Sequence, residues 1–488
     1  VRNRPEHFGF QSNIEEEIIM TILSDFWNGF TGFWQHVLGD MLAVSDFIWS
    51  FPILVLTVVV AVTLTIGTGF FQFRYFGHAM KNTFGKMFKT KGSEKGISSL
   101  AAVCSALAST LGVGNIAGVA VAIALGGPGA VFWMWLVALF GLIVKYAEVC
   151  LAVKYREVDP ETGMYKGGIM YYAKKGLGKN FAWMGALWCF VIFAVQILAP
   201  AVQINSLTGS LTAYFDINPV IIGVVCAVIM GFVLIGGLKR ISKCAEIVVP
   251  FMALAYCVVA IFVIITHITS VPAAFGAIFA GAFSGTAATG GFLGAGVSSA
   301  IRWGLARGVY SNEAGNGTAA LVHATANVDH PAKQGIWGIT EVFVDTIVVC
   351  TMTALVIMVT GVWTSGQSGA ALTTMGFAAG IGSETAAGIF VSLIIFFFAF
   401  TTAVVSVYYG ENCLGYFTKN KTAIMCYRIL ACIMAIVGAV GGLSTIWGLA
   451  DLGLGIANIT NLCVLFGLRK DIFKITAEYK DMIKKGEV

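Results

Sequence analysis

The chain has 488 residues, of which 58% are hydrophobic and 11% charged, against roughly 25% charged in an ordinary soluble domain. So few charges cannot clothe a water-soluble globule of this length, and the repeated apolar runs and 58 glycines describe a polytopic membrane protein instead. The net charge of +5 is modest, nucleic-acid binding is excluded, and the placement of the charge says more than its size.

In chain order, residues 1–46 read as an extracytoplasmic segment. Trp27, Phe30, Trp34, Leu38 and Met41 recur there at steps of three and four, which predicts an interfacial amphipathic helix. Eleven apolar segments follow, within a transmembrane domain over 47–468: Phe47–Phe71, Ser98–Leu125, Ala130–Val153, Phe181–Leu211, Pro219–Gly237, Ile247–Ile268, Pro272–Val297, Ile336–Gly361, Thr385–Tyr416, Ala423–Gly442 and Thr445–Leu468. About 20 helical residues cross ~30 Å of hydrocarbon, so each is long enough. No pattern of alternating ten-residue strands suggests a barrel. Residues 469–488 read as a basic cytoplasmic tail.

The connections after spans 1, 3, 5, 7 and 9 carry the lysines and arginines, among them Lys81, Lys154, Lys239, Arg302, Lys333 and Lys419; those after the even spans carry none. The positive-inside rule then puts the N-terminus outside and the C-terminus in the cytoplasm of a multi-pass protein of the cell membrane. Eleven cysteines show no CxxC pair and no Cys/His cluster, so they read as small packing residues, with no zinc site or structural disulfide.

Two spans carry glycine and polar residues near mid-span: Gly112, Gly114 and Asn115 in the second, and Gly281 to Phe292 in the seventh. Five spans apart, they cross in opposite directions. That spacing fits two five-helix repeats of inverted topology, spans 2–6 and 7–11, with span 1 outside the repeat. Transporters of this design bind substrate and ions where two discontinuous helices open at the midplane. Half-helix N-termini present N–H groups to a carboxylate, and unwound carbonyls face a cation. A zwitterionic amino acid with Na⁺ suits such a site.

Gly126-Gly-Pro-Gly-Ala-Val-Phe-Trp-Met-Trp-Leu-Val-Ala-Leu-Phe-Gly141, following Gly114-Asn-Ile-Ala-Gly118, resembles the hallmark of the alanine or glycine:cation symporters. Lys145-Tyr-Ala-Glu148, Ser311-Asn-Glu-Ala-Gly-Asn-Gly317 and Tyr408-Tyr-Gly-Glu411 resemble further motifs of that family, and the likeness covers roughly 47–470. It implies an all-α LeuT-type fold and Na⁺-coupled uptake of a small neutral amino acid, alanine or glycine first, with no cofactor besides the coupling ion. Proton-coupled uptake and Na⁺ symport of a larger neutral amino acid such as glutamine are the alternatives.

For Na⁺, the hydroxyls of Thr401 and Thr402 are the side-chain candidates, with backbone carbonyls near Leu111 and Gly114 as the partners the resemblance implies. For the substrate the candidates are Gly114, Asn115, Gln203, Phe283, Gly285 and Thr286. Two positions depart from the family pattern. Ser406 stands where many relatives carry a bulky aromatic, and Ala199-Pro200 replaces a glycine-asparagine pair. If Ser406 lines the pocket, a larger substrate fits. Glu341 and Asp345, one turn apart, read as an ion pair or inner gate with Arg302 and Arg307 nearby, while Glu313 and Glu411 read as latches on cytoplasmic loops. No histidine sits mid-span beside a nucleophile, which argues against an enzyme.

Overall fold

The computed structural model describes residues 37–49, 52–87, 91–283, 296–441 and 444–488. It is a helical bundle. In order it has α1 (Pro52–Gly67), α2 (Phe76–Thr83), α3 (Ser99–Thr110), α4 (Val119–Gly126), α5 (Gly129–Lys154), α6 (Ala182–Gln196), α7 (Ala199–Thr212), α8 (Pro219–Ile235) and α9 (Gly237–Thr266). Then come α10 (Val271–Phe283), α11 (Val297–Asn312), α12 (Pro331–Val342), α13 (Thr351–Val359), α14 (Gly369–Ile381), α15 (Glu384–Phe417), α16 (Lys421–Val440), α17 (Ser444–Gly467) and α18 (Arg469–Lys485). One small hairpin pairs β1 (Glu157–Val158) with β2 (Tyr165–Lys166).

Among the described residues, eight helices are long and apolar enough to cross a bilayer, or nine if Ser99–Thr110 and Gly114–Gly126, bent by 52°, form one span. The surface explains the composition. On α9, Ile247, Phe251, Leu254, Val258, Phe262 and Ile265 recur at steps of three and four and are all exposed, while Val249, Met252, Tyr256, Ala260 and Val263 are buried. A helix apolar on both faces belongs in lipid, with one face against the bundle.

The structure corrects the connection expected after the seventh span. α10 is described as far as Phe283, residues 284–295 lie outside the described part, and Val297–Asn312 is a helix packed along α5 rather than a connection. The two helices run parallel: Gly304 meets Ala130, Gly308 meets Val137 and Gly141 meets Ala314. Arg302 and Arg307 therefore lie toward the N-terminal end of α5, the end opposite Lys154. The basic connections gather at that other end, where Lys86, Lys91 and Lys333 line one hollow and Lys419 pairs with Glu161 of the hairpin turn.

The tail is also more than a basic extension. α18 buries Ile472, Ile475, Thr476 and Tyr479, while Lys154 pairs with Asp471 at 2.9 Å. Of the amphipathic segment expected before the first span, residues 37–49 are helical and the rest lies outside the described residues.

Glycine allows the close helix crossing of α11 on α5. A Cβ on Gly304 would lie 2.3 Å from the Ala130 carbonyl oxygen and 2.7 Å from Trp133 Cβ, whereas one on Gly231 of α8 would meet nothing within 4 Å. Gly304→Ala is expected to lower the thermal unfolding midpoint of the purified protein, at a cost of about 1–3 kcal/mol for overpacking. Gly231→Ala, which meets no neighbour and gains helix propensity, should leave the midpoint unmoved or raise it. Equal midpoints for the two variants would refute this account of the crossing.

Candidate functional site: two interrupted helices around one cavity

The α3 helix ends at Leu111, whose backbone (φ −75°, ψ 80°) leaves the helical region, and the chain resumes as one π-helical turn over Gly114–Gly118. Glycine is required at the break because α15 and α7 press against it. A Cβ on Gly112 would lie 2.8 Å from Thr402 Oγ1 and 3.4 Å from Gln203 Oε1. The freed N–H groups find side-chain acceptors: Gly112 N–H donates to Asn115 Oδ1 (3.0 Å) and Val113 N–H to Gln203 Oε1 (3.4 Å).

The freed carbonyls converge on one hydroxyl. Thr402 Oγ1 lies 3.0 Å from Ala108 O, 3.2 Å from Ser109 O and 3.4 Å from Leu111 O. A hydroxyl has one proton to give, so it satisfies one of these oxygens at a time. The four oxygens form an electron-rich cluster of the type that suits a hard cation. Thr401 does not join it. Its hydroxyl bonds back to Phe397 O at 2.8 Å on its own helix and borders a separate recess with Cys244 and Val404.

A second interruption follows α11, at Glu313–Thr318; of the break expected over Gly281–Phe292, residues 284–292 lie outside the described residues. Glu313 takes a left-handed backbone (φ 52°), and Gly315 and Gly317 have φ of 97° and 78°. A single turn, Ala320–His323, follows. Three directions supply partners to the unwound stretch. Gly315 N–H donates to Glu148 Oε1 (2.9 Å) on α5, Asn461 Nδ2 donates to Gly315 O (2.8 Å) from α17, and Trp188 Nε1 donates to Asn316 O (2.8 Å) from α6. Glu313 crosses to the first interruption, accepting from Ser109 Oγ at 3.1 Å and from Thr318 Oγ1 at 2.6 Å.

A cavity of about 50 Å³ lies where the interruptions meet. Ser109, Thr110, Gly112 and Gly114 line it from one side, Tyr310, Glu313 and Asn316 from the other, and Gln203, Thr402 and Ser406 from across. Of the residues expected from the sequence, Gly114, Gln203, Thr402 and Ser406 come together here, and Leu111 supplies a carbonyl beside them.

Others stand elsewhere. Asn115 is fully buried away from the cavity, donating to Asp345 Oδ1 (2.7 Å) and Ser311 Oγ (2.9 Å), so it ties the π-helical turn to α11 and to residues 343–350. Phe283 is 63% exposed and rests on Phe132, with ring centroids 4.9 Å apart, so it faces away from the cavity. Gly285 and Thr286 lie outside the described residues. Tyr310, Glu313 and Asn316 were missed as cavity residues because 298–335 was read as a connection, and Ser109 was passed over one turn before the glycines of the second span. The glycine spacing in Gly315-Asn-Gly317 was the available signal.

Below the cavity lies a buried polar cluster. Glu341 pairs with Lys145 (3.3 Å) and His323 (3.0 Å), all three side chains fully buried, and the other ring nitrogen of His323 meets Gln334 at 2.8 Å. The partners of Glu341 are thus Lys145 and His323 rather than Arg302 and Arg307. Asp345 accepts from Asn115, Ser311 and Thr346.

A bundle with paired helix interruptions around a polar cavity, set in a lipid-facing shell, has the architecture of a membrane transporter. Residues 35–488 match the model of the sodium:alanine symporter family, and the chain belongs to that family. The sodium/alanine symporter AgcS of Methanococcus maripaludis is 39% identical over 457 residues, covering 91% of this chain and 97% of that protein. The probable sodium/glutamine symporter GlnT of Bacillus subtilis is 36% identical over 455 residues, 93% and 92% of the two chains. Among solved structures, MhsT in complex with L-phenylalanine aligns with a TM-score of 0.51 at 15% identity, over 77% of this chain and all of that one. That is a likeness of fold.

Breaking a buried ion pair strands a charge and costs about 3–5 kcal/mol, while replacing both partners with apolar groups is often neutral. Lys145→Met is therefore expected to destabilise the protein strongly, and Lys145→Met with Glu341→Met to recover most of the loss, read by thermal melts of all four forms. Additive losses would show that the pair is not an interacting unit.

Proposed function

We propose that this protein is a secondary transporter of the cell membrane that couples Na⁺ entry to uptake of a small neutral amino acid, alanine or glycine first, by alternating access. In this reading eleven spans cross the bilayer, with α3–α4 and α11 plus its following turn each counted as one interrupted span. They divide into α1 and two five-span repeats of opposite orientation, each beginning with an interrupted helix. The N-terminus lies outside and the C-terminus in the cytoplasm, in keeping with the basic connections.

The observation that carries the reading is the meeting of Thr402 with the three carbonyls released at the first interruption. It offers a monovalent cation neutral oxygen ligands without an extra buried charge. Beside it, Gly112, Gly114 and Gln203 offer backbone and amide groups to the substrate's carboxylate and ammonium. The names of the relatives at 39% and 36% identity, which pair sodium with alanine and with glutamine, support the ion and the substrate class. Ser406 at the cavity wall favours glutamine as the second reading for the substrate, since a small side chain there leaves room for a longer one.

Uptake of labelled alanine, glycine and glutamine into proteoliposomes under an inward Na⁺ or H⁺ gradient tests the reading. Na⁺-driven accumulation of a neutral amino acid is expected. Thr402→Val should raise the half-saturating Na⁺ concentration by about tenfold or more, equivalent to about 1.4 kcal/mol, whereas Thr401→Val should change it by less. Uptake driven by H⁺ alone, or an unchanged Na⁺ requirement in Thr402→Val, would overturn the assignment of the ion.

A further inference from the structure

A second hollow, of about 70 Å³, lies toward the N-terminal end of α5, and Tyr310 borders both it and the central cavity. Asp46, Trp49, Arg302, Trp303, Arg307 and Asp451 stand around it. Two arginines balance two aspartates there, but the pairs are satisfied differently. Arg302 closes on Asp46 at 2.9 Å on the exposed rim. Arg307 and Asp451 make no ion pair within 4.0 Å of each other.

Each of the two also keeps a buried polar atom, Arg307 Nε and Asp451 Oδ1, with no hydrogen-bond partner among the described residues. The guanidinium is held along the wall by the rings of Trp303 (5.4 Å) and Tyr310 (5.7 Å). Trp49 Nε1 donates to the Asp451 carbonyl at 2.9 Å, fixing that turn of α17. Opposite charges that are half-buried, held apart and left with a buried unpartnered atom each are costly to the fold unless a third body completes them.

We propose that this hollow is an outer docking site for an α-amino acid zwitterion, separate from the central cavity. The Arg307 guanidinium takes the carboxylate and the Asp451 carboxylate takes the ammonium, before the molecule passes Tyr310. An α-amino acid carries its two charges on neighbouring carbons, so one small ligand bridges a donor and an acceptor that do not reach each other. The pair reads the zwitterion and not the side chain, and selection among neutral amino acids falls to the central cavity. This proposal rests on the amino-acid symport reading.

The test uses the full chain, with equilibrium binding of labelled alanine in the presence and absence of Na⁺, and initial rates of uptake in proteoliposomes. With the cation cluster disabled by Thr402→Val, a Na⁺-independent binding component is expected to remain. Adding Arg307→Gln or Asp451→Asn should remove it. Unlabelled alanine should displace it, whereas propionate and alaninamide, each carrying half of the charge pattern, should not.

In uptake, either single variant should raise KM by about tenfold with little change in kcat, and Arg307→Lys should recover part of the loss. Unmoved KM in both variants would overturn the outer site, as would a fall in kcat alone, the mark of a gate or of damaged packing. Absence of the Na⁺-independent component would do the same. A wild-type protein without Na⁺-driven uptake of any neutral amino acid would remove the symport reading and this proposal together. Wild-type uptake with unmoved variants removes the outer site alone.

Discussion

Ending a helix inside a bilayer leaves its last carbonyls without intrahelical donors, and no lipid group can replace them. In this chain the break at Leu111 brings Ala108, Ser109 and Leu111 carbonyls onto one side of α3, and the surrounding bundle is built to accept them. α15 brings Thr402 against the carbonyls, and α7 brings Gln203 to the amide of Val113. The approach of both depends on the missing side chain at Gly112. A polar pocket in the middle of an apolar bundle is the geometric result.

The second break is supported differently. Glu313–Thr318 is held by side chains from α5, α6 and α17, with Glu148 and Asn461 converging on Gly315. Glu313 reaches across to Ser109, so the two interruptions are bonded to each other as well as to the frame. The Lys145–Glu341–His323 cluster lies in the same fully buried layer. Charges placed there bring little net stability when paired and a large penalty when unpaired, which makes them better at defining one packing arrangement than at strengthening it.

Much of this was legible before the fold was known. Low charge and long apolar runs define the class, and the exposed apolar face of α9 is their direct counterpart. The first interruption was readable because Gly112, Gly114 and Asn115 cluster inside an otherwise apolar run. The interruption at Glu313–Thr318 was passed over. Gly281 to Phe292 is richer in glycine, yet Gly281 serves a close crossing over Gly129. Ser311-Asn-Glu-Ala-Gly-Asn-Gly317 is polar enough to pass for a loop, and hydropathy cannot separate a loop from unwound backbone inside a protein. Asn115 was singled out correctly as a polar group in the break, but its partners, Asp345 and Ser311, lie some two hundred residues away in sequence. The pairing of Lys145 with Glu341 was hidden for the same reason.

The docked helix α18 has a mechanical meaning. It touches α1, α5 and α12, with Asp471 bound to Lys154 and Lys480 bound to the Thr68 carbonyl, and its buried stripe holds Tyr479 against Phe71 and His78. In the proposed repeat arrangement α1 stands outside the repeats, α5 belongs to the first and α12 to the second. A helix strapped across all three fixes their spacing at one membrane face like a lintel over three posts. In the alternating access proposed above, the helices bound to α18 are the ones that keep station with it, so α18 supplies a frame of reference for the movement of the others.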